Sequence, residues 1–226
     1  MTFSIIAHDE KTGRVGIAVA SKFFAVGARN AFIRTGVGAI ASQALLNPYY
    51  GPRGLALLAA GASAEDTVRL LTAADEGSEV RQVHAMDRWG KFAAFTGSTC
   101  PAWSGHVVRT SYSVAGNVLA GPAVIDAVAQ AYEGAASLPF ARRLLASMAA
   151  GEQAGGDKRG RQSACLLVHD DQEYSLLDIR ADDHPDPLAE LERLEAVARK
   201  SWVHFRRVLP NRPEPHGLLD PAEADT

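Results

Sequence analysis

The chain has 226 residues, of which 47% are hydrophobic and 22% charged, and its formal net charge is −3. This composition allows one large core and supplies no basic field for binding nucleic acid. The two cysteines are too few for a disulfide framework, no apolar run is long enough to span a membrane, and the first residues lack the pattern of a secretory signal. We therefore expect a cytoplasmic protein with no nucleic-acid or membrane partner.

The first half of the chain predicts strand pairs followed by helices. Two strands, FSIIAHD and RVGIAVAS, are joined by a turn at EKTG, and GVGAIASQ predicts a third strand. After the break at NPYYGPRG, a helix is expected to begin at LALLAAG. The segment SAEDTVRLLTAAD predicts a second helix, with Ser63 as its cap and Asp66 three residues on. Two further strands are predicted in EVRQVHAMDRWGKFAAFTG, around a turn at residues 87–90.

The second half predicts a strand in SYSVAGNVL, then helices in GPAVIDAVAQAYEGA and LPFARRLLASMAAGEQ. A glycine-rich loop, AGGDKRGRQ, leads into a strand–turn–strand unit in SACLLVHDDQEYSLLDIR. The segment LAELERLEAVARKSWVHFRRVL predicts a long charged helix, whose apolar face packs on the domain or on a second subunit. We expect one domain over residues 1–183, a helical extension over 184–210 and a polar tail over 211–226.

The order of the predicted elements indicates the fold class. Strands come in pairs and do not alternate one for one with helices, which argues against a doubly wound parallel sheet. The pattern favours an α+β protein in which two antiparallel sheets pack together and are covered by helices.

The first hairpin places named residues beside Thr2. With EKTG as the turn, Asp9 faces Arg14, and counting along both strands brings Ser21 opposite Thr2, with Lys22 next to it. Cross-strand neighbours have Cβ atoms about 5 Å apart. A slip of one residue would put Ala20 opposite Thr2 instead. The predicted register thus sets a hydroxyl and an ammonium close to the Thr2 hydroxyl.

Two interpretations of Thr2 remain open. A threonine hydroxyl is a poor nucleophile unless a base takes its proton. If Met1 is removed, which the small side chain of Thr2 favours, the new α-amine with a pKa of about 7.7–8.0 can act as that base. Lys22 would hold this amine neutral and stabilise negative charge. The alternative is that Thr2 only begins a strand.

The loop at residues 155–163 is the second candidate region. Its glycines allow sharp turns and present backbone amide donors. Arg159 or Arg161 can hold a substrate carboxylate through two hydrogen bonds, with Asp157, Gln162 and Ser163 as further polar contacts. The spacing is not that of a P-loop. The alternative is an exposed, solvated loop.

Other polar residues are weaker candidates. Gln43, Asn47 and Tyr50 bracket the break after the third predicted strand, where they line a pocket or cap the next helix. Asn117 ends a strand and is an oxyanion donor or a helix cap. The histidines lack metal-site spacing, so we expect no metal or other cofactor. No Gly-x-Ser-x-Gly elbow is present, which argues against an α/β-hydrolase.

Five stretches together resemble the family called domain of unknown function 1028: TFSIIAHDEKTGRVGIAVASKF, GVGAIASQALLNPYYGPRGL, AGNVLAGP, GGDKRGRQSACLLV and DDHPDPLAELERL. That family is grouped with the N-terminal nucleophile (Ntn) hydrolases. The resemblance implies a four-layer α-β-β-α sandwich, with Thr2 matching the nucleophile and Lys22 the supporting lysine. Ser4 is an alternative nucleophile on the same sheet face. No Asp in GIAVASKF matches the one that supports the threonine of proteasome subunits, so the resemblance does not imply their peptidase activity.

These observations lead to three hypotheses. The first is an Ntn amidohydrolase that acts on a small-molecule C–N bond, in which Thr2, Ser21, Lys22 and Asn117 are catalytic. The second is a non-catalytic protein that binds small anions with the 155–163 loop. The third, ranked last, is a phosphate or nucleotide enzyme that uses the same loop. The expected partners are a small-molecule substrate and a second copy of the chain, in a homodimer.

Overall fold

The computed structural model describes residues 2–218, which form ten strands and seven α-helices. The strands are Thr2–Asp9 (β1), Arg14–Ser21 (β2), Ala31–Arg34 (β3), Gly38–Ala44 (β4), Arg81–Asp87 (β5), Phe92–Thr96 (β6), Gly105–Val108 (β7), Tyr112–Asn117 (β8), Ser163–His169 (β9) and Leu177–Ala181 (β10). The helices are Gly27–Asn30 (α1), Tyr50–Ala59 (α2), Ala64–Ala73 (α3), Ala123–Gly134 (α4), Phe140–Gln153 (α5), Pro187–Lys200 (α6) and Trp202–Phe205 (α7).

The strands form two antiparallel sheets. One has six strands in the order β10-β9-β2-β1-β8-β7, and the other has four in the order β3-β4-β5-β6. Helices α4, α5 and α6 cover the six-stranded sheet, and α2 and α3 cover the four-stranded sheet. The α+β class and the four-layer arrangement predicted from the sequence are therefore confirmed, with α6 as the appended C-terminal helix.

Side chains of β1 alternate between two environments, as the pleat of a strand requires. Phe3, Ile5 and Ala7 belong to the core between the six-stranded sheet and its helices. Ile6 belongs to a second core between the two sheets, and Ser4 bonds there to groups of the opposite sheet. Burying a side chain such as Phe or Ile contributes about 1.5–3 kcal/mol, so the core positions hold β1 in register. Thr2 shares the face of Ser4 and points between the sheets.

Several elements differ from the sequence prediction. Strands β3 and β7 and helix α1 have four residues each, which is too short to give a clear periodicity. Helix α2 begins at Tyr50, because Pro52 lies in its first turn, where the missing N–H costs no hydrogen bond. The predicted long helix ends at Lys200 and continues as the short helix α7.

Other features of the prediction have a structural counterpart. Ser63 Oγ accepts a hydrogen bond from the Asp66 N–H at 3.0 Å and so caps α3 as expected. Helix α6 packs on β9, β10 and α5. The domain boundary at residue 183 stays a prediction, and residues 219–226 of the predicted tail lie outside the described residues. No helix within residues 2–218 is long and apolar enough to cross a membrane.

Candidate functional site

Four polar residues form one row across the six-stranded sheet. The strand registers pair Ser163 with Ser21, Ser21 with Thr2 and Thr2 with Asn117, one residue from each of β9, β2, β1 and β8. Directly paired residues share a sheet face, so this row faces the second sheet, and all four residues are buried. The predicted hairpin register, with Thr2 opposite Ser21, is confirmed.

Thr2 lies at the wall of a small cavity. Its Oγ1 is 3.0 Å from Ser21 Oγ, and the residue is 8% exposed. The cavity has a volume of about 110 Å³ and is lined by polar and apolar residues from four parts of the chain: Thr2, Phe23, Val26, Arg29, Asn30, Ser42, Gln43, Ala44, Leu46 and Arg159. Two of the residues predicted to bind substrate, Gln43 and Arg159, are therefore brought to the same cavity as Thr2.

Ser4 belongs to a directional hydrogen-bond chain between the sheets. Its hydroxyl donates to Gln43 Oε1 at 2.7 Å, so its oxygen accepts the N–H of His84 Nε2, at 2.9 Å. The other ring nitrogen, Nδ1, then accepts from the Ser113 hydroxyl at 3.1 Å, because a neutral imidazole carries one proton. Burial, aided by the charge of His106, lowers the pKa of His84 to about 3. His84 therefore does not serve as a base for Ser4, which argues against Ser4 as the nucleophile.

Gln82 connects this chain to the row. Its Oε1 accepts from Gln43 Nε2 at 2.7 Å and from Asn117 Nδ2 at 3.1 Å. Its Nε2 donates to the Gly116 carbonyl at 2.9 Å. Asn117 Nδ2 also lies 3.4 Å from the Thr2 carbonyl oxygen. The buried amide groups therefore connect the start of β1 to β8 in its own sheet and to β5 in the other sheet.

Asp157 anchors the glycine-rich loop. Its carboxylate accepts from the Lys22 backbone N–H at 2.9 Å and from Arg159, through its backbone N–H at 2.7 Å and its Nε at 3.3 Å. The side chain of Asp157 is 3% exposed. Positive φ angles at Gly155 and Gly160 let the chain bend before and after Asp157. Asp157 therefore positions Arg159 at the cavity and is itself covered.

Lys22 does not bring its ammonium to Thr2. The side chain is exposed, and Nζ donates to the Arg161 carbonyl at 3.1 Å. Successive residues of an extended chain point to opposite sides, so the inward direction of Ser21 sends Lys22 outward. Arg161 is paired with Glu152 at 2.7 Å and Asp186 at 3.0 Å, which leaves Arg159 as the arginine of this loop at the cavity.

Ser163 holds part of the cavity wall in place through its hydroxyl group. Its hydroxyl donates to the Phe23 carbonyl and accepts from the Val26 backbone N–H at 3.1 Å. Phe23 and Val26 both line the cavity. The contacts of Ser163 therefore hold the segment that follows β2, in which Ala25 has a φ of 52°.

Three predicted binding residues lie elsewhere. Asn47 and Tyr50 line a different cavity, of about 490 Å³, between α2 and α3. There Asn47 Nδ2 donates to Asp75 Oδ2 at 2.9 Å, and this bond is the main reason that the pKa of Asp75 lies below its usual range. Gln162 Nε2 donates to Asp183 Oδ1 at 3.2 Å, in an exposed contact. The structure does not place these three residues at the Thr2 cavity.

Sequence reasoning missed residues on both sides of the site. Arg29 and Asn30 line the cavity from α1, a helix too short to be predicted. Gln82 and His84 share the inward face of β5 with Met86. Two polar residues alternating on one face of a strand are the signal that indicates a polar layer between sheets. In the described part of the chain, no three His, Cys, Asp or Glu residues are grouped to hold a metal ion.

Comparison with known proteins identifies relatives of this chain. Residues 2–191 match the model of a family of unknown function, DUF1028. The crystal structure of protein SPO2555 from Silicibacter pomeroyi, assigned to the same family model, is 36% identical, with a TM-score of 0.90, and the match covers 97% of this chain and 96% of that one. Anbu (ancestral beta-subunit) from Yersinia bercovieri is 13% identical over 94% of this chain and 99% of its own, with a TM-score of 0.41, which is too low to support an argument. No protein of curated function matches.

Proposed function

The chain belongs to DUF1028, a family of unknown function, and we propose that it is an N-terminal nucleophile amidohydrolase that cleaves a C–N bond of a small molecule. One observation carries this proposal. The Thr2 hydroxyl lies 3.0 Å from the Ser21 hydroxyl at the wall of a cavity, in the first residue of the strand β1. A hydroxyl held by a second hydroxyl and facing a small cavity is suited to attack a bound carbonyl.

The proposed reaction begins after cleavage of the bond between Met1 and Thr2. The freed α-amine takes the proton of Thr2 Oγ1 as the oxygen attacks the substrate carbonyl, and it then donates that proton to the departing amine. The C–N bond breaks and an ester forms on Thr2. Water hydrolyses this ester, returning the hydroxyl and releasing the acid. In this scheme Ser21 orients the attacking oxygen.

Asn117, which neighbours Thr2 in the row and is not part of the cavity lining, is the proposed oxyanion donor. Its 3.4 Å contact to the Thr2 carbonyl is longer than an ordinary hydrogen bond, whereas its contact to Gln82 is 3.1 Å. A developing oxyanion would therefore replace the weaker of the two bonds. One such donor is typically worth about 3 kcal/mol in the transition state. Lys22, whose ammonium is bound at the surface, has no direct role in this scheme.

A second candidate function, anion binding without catalysis, is favoured by the two arginines at the cavity, Arg29 and Arg159. The two functions are separated by assaying release of ammonia or amine from a panel of small amides. The first predicts turnover that is lost in Thr2→Ala and retained in Thr12→Ala, a matched change in the exposed turn after β1. Absence of turnover in the wild-type protein, with anion binding retained, supports the second function and contradicts the first.

A further inference from the structure

We infer that the molecule bound at the Thr2 cavity is a small amide that carries a carboxylate and an N–H group, read by Arg29 and by Asn30. Its description as a substrate rests on the proposed function, whereas the recognition chemistry is argued from the cavity itself. Both residues belong to α1, which forms one side of the cavity.

The charge of the cavity lining is positive. The residues that line it include two arginines and no aspartate or glutamate. The charge of Arg159 is compensated by Asp157, at 3.3 Å. Arg29 is exposed and forms no ion pair within residues 2–218. A guanidinium can hold a carboxylate through two parallel hydrogen bonds, so Arg29 is the group that would bind the anion.

Asn30 offers a buried acceptor. It is 1% exposed, and its Nδ2 donates to the Ser42 carbonyl at 2.8 Å and to Gln43 Oε1 at 3.2 Å. These two acceptors fix the orientation of the amide, so that Oδ1 points away from them. Oδ1 has no hydrogen-bond partner in the described part of the protein. Buried polar atoms are nearly always paired. Oδ1 is covered in this structure although Asn30 belongs to the lining, so a ligand N–H would reach this unpaired acceptor through a small movement of the lining.

The size of the cavity limits the ligand. Its volume of about 110 Å³ is well below the roughly 300–1,000 Å³ of pockets that hold drug-sized molecules. The apolar side chains of Phe23, Val26 and Leu46 complete the lining and leave room for a short aliphatic part. An N-acylated amino acid of minimal size combines these features: a carboxylate, an amide N–H and few other atoms.

Three related probes test this inference by calorimetric titration of the Thr2→Ala protein, in which binding is measured without turnover. N-acetylglycine has both groups, N-acetylglycinamide lacks the carboxylate, and N-acetylsarcosine lacks the N–H. We expect N-acetylglycine to bind at least ten-fold more tightly than the amide and several-fold more tightly than the sarcosine compound. Arg29→Gln should remove the preference for the carboxylate, and the control Arg34→Gln, at an exposed residue of β3, should keep it.

Equal affinity for N-acetylglycine and its amide, a carboxylate preference that survives Arg29→Gln, or failure of all three probes to bind would overturn the inference. The proposed function has a separate test. If the wild-type protein hydrolyses uncharged amides and no carboxylate-bearing amide, the proposed hydrolase activity is supported and the inferred class of ligand is overturned. Binding that depends on Arg29, with no turnover of any carboxylate-bearing amide, supports the ligand class and contradicts the hydrolase.

Discussion

Thr2 Oγ1 lies 3.0 Å from Ser21 Oγ. The two residues are 19 positions apart in the chain and lie directly opposite each other in adjacent strands. The β1–β2 hairpin creates this contact, because its turn fixes which residues face each other. The neighbouring strands β8 and β9 extend the pair into a row with Asn117 and Ser163. The row places the Thr2 hydroxyl, with a polar partner, at the wall of the cavity.

Ser21→Ala should slow the Thr2-dependent reaction. The change removes a hydrogen-bond partner of Thr2 and leaves the nucleophile free to rotate, so we expect turnover to fall about ten-fold or more and the free energy of unfolding to fall by about 1 kcal/mol. Initial rates and urea unfolding measure the two effects. The control is Ser113→Ala, which removes an equally buried hydroxyl at His84. Equal losses of activity in the two variants would contradict the role of Ser21 in orienting the Thr2 hydroxyl.

Gln82→Ala should be strongly destabilising. Its Oε1 accepts from Gln43 and Asn117, and its Nε2, which carries two hydrogens, lies within 3.1 Å of three acceptors, one of them the Gly116 carbonyl. Leaving buried polar groups unpaired costs about 1–3 kcal/mol each, so we expect a loss of roughly 3 kcal/mol or more. Gln162→Ala removes the same side chain from an exposed contact and should cost below about 0.5 kcal/mol. Similar unfolding midpoints for the two variants would contradict a stabilising role for the hydrogen bonds of Gln82.

His84 should make stability depend on pH in mildly acidic solution. Its pKa of about 3 in the folded protein is below the ordinary value of 6.5, because burial disfavours the charged ring. Between these two values, the unfolded chain therefore binds a proton that the folded protein does not bind. The contribution of neutral His84 to the free energy of unfolding is complete above about pH 6.5 and declines as the pH falls toward 3. The slope reaches about 1.4 kcal/mol per pH unit between these values.

The matched variant for this measurement is His84→Gln, which keeps an N–H donor for Ser4 and cannot titrate. Urea unfolding at pH 7, 6, 5 and 4 gives the stability difference between the two proteins, and carboxylates that titrate in the same range affect both. We expect the wild-type protein to lose stability relative to the variant at each step below about pH 6. Parallel curves for the two proteins would show that His84 is not held neutral.

Asp157→Ala should loosen the glycine-rich loop. The carboxylate joins the Lys22 backbone to Arg159, and without it the loop loses its buried anchor. We expect faster tryptic cleavage after Lys158 and Arg159. Asp178→Ala is the control, because Asp178 also pairs with the arginine two residues on, Arg180, but at the surface. Unchanged cleavage in Asp157→Ala would mean that the loop is held by other contacts.

The sequence predicts the local part of this site well. The turn at EKTG determines the β1–β2 register from nearby residues alone, so the opposition of Thr2 and Ser21 follows from short-range information. The order β9-β2-β1-β8 depends on strands that are distant in the chain. The sequence therefore predicts Asn117 and Ser163 only as polar residues at strand ends and does not predict the row that joins them to Thr2.

Where prediction fell short, the cause is side-chain direction or element length. Lys22 follows Ser21 in the chain, yet it leaves the inward face at the end of β2. Asn47 and Tyr50 are close in sequence to Gln43, but the chain turns into α2 there and carries them to another cavity. Arg29 and Asn30 belong to a four-residue helix, which gives no periodic signal. The homodimer stays a prediction.

The role of Thr2 as an N-terminal nucleophile can be measured by mass spectrometry of the purified wild-type protein after treatment with a small β-lactone, an electrophile that acylates an activated threonine. We expect a chain that begins at Thr2 and carries one acyl group on the Thr2 hydroxyl, with Thr12 unmodified. A protein that retains Met1 in full, or one that begins at Thr2 and gains no acyl group there, would contradict the assignment of Thr2 as an N-terminal nucleophile.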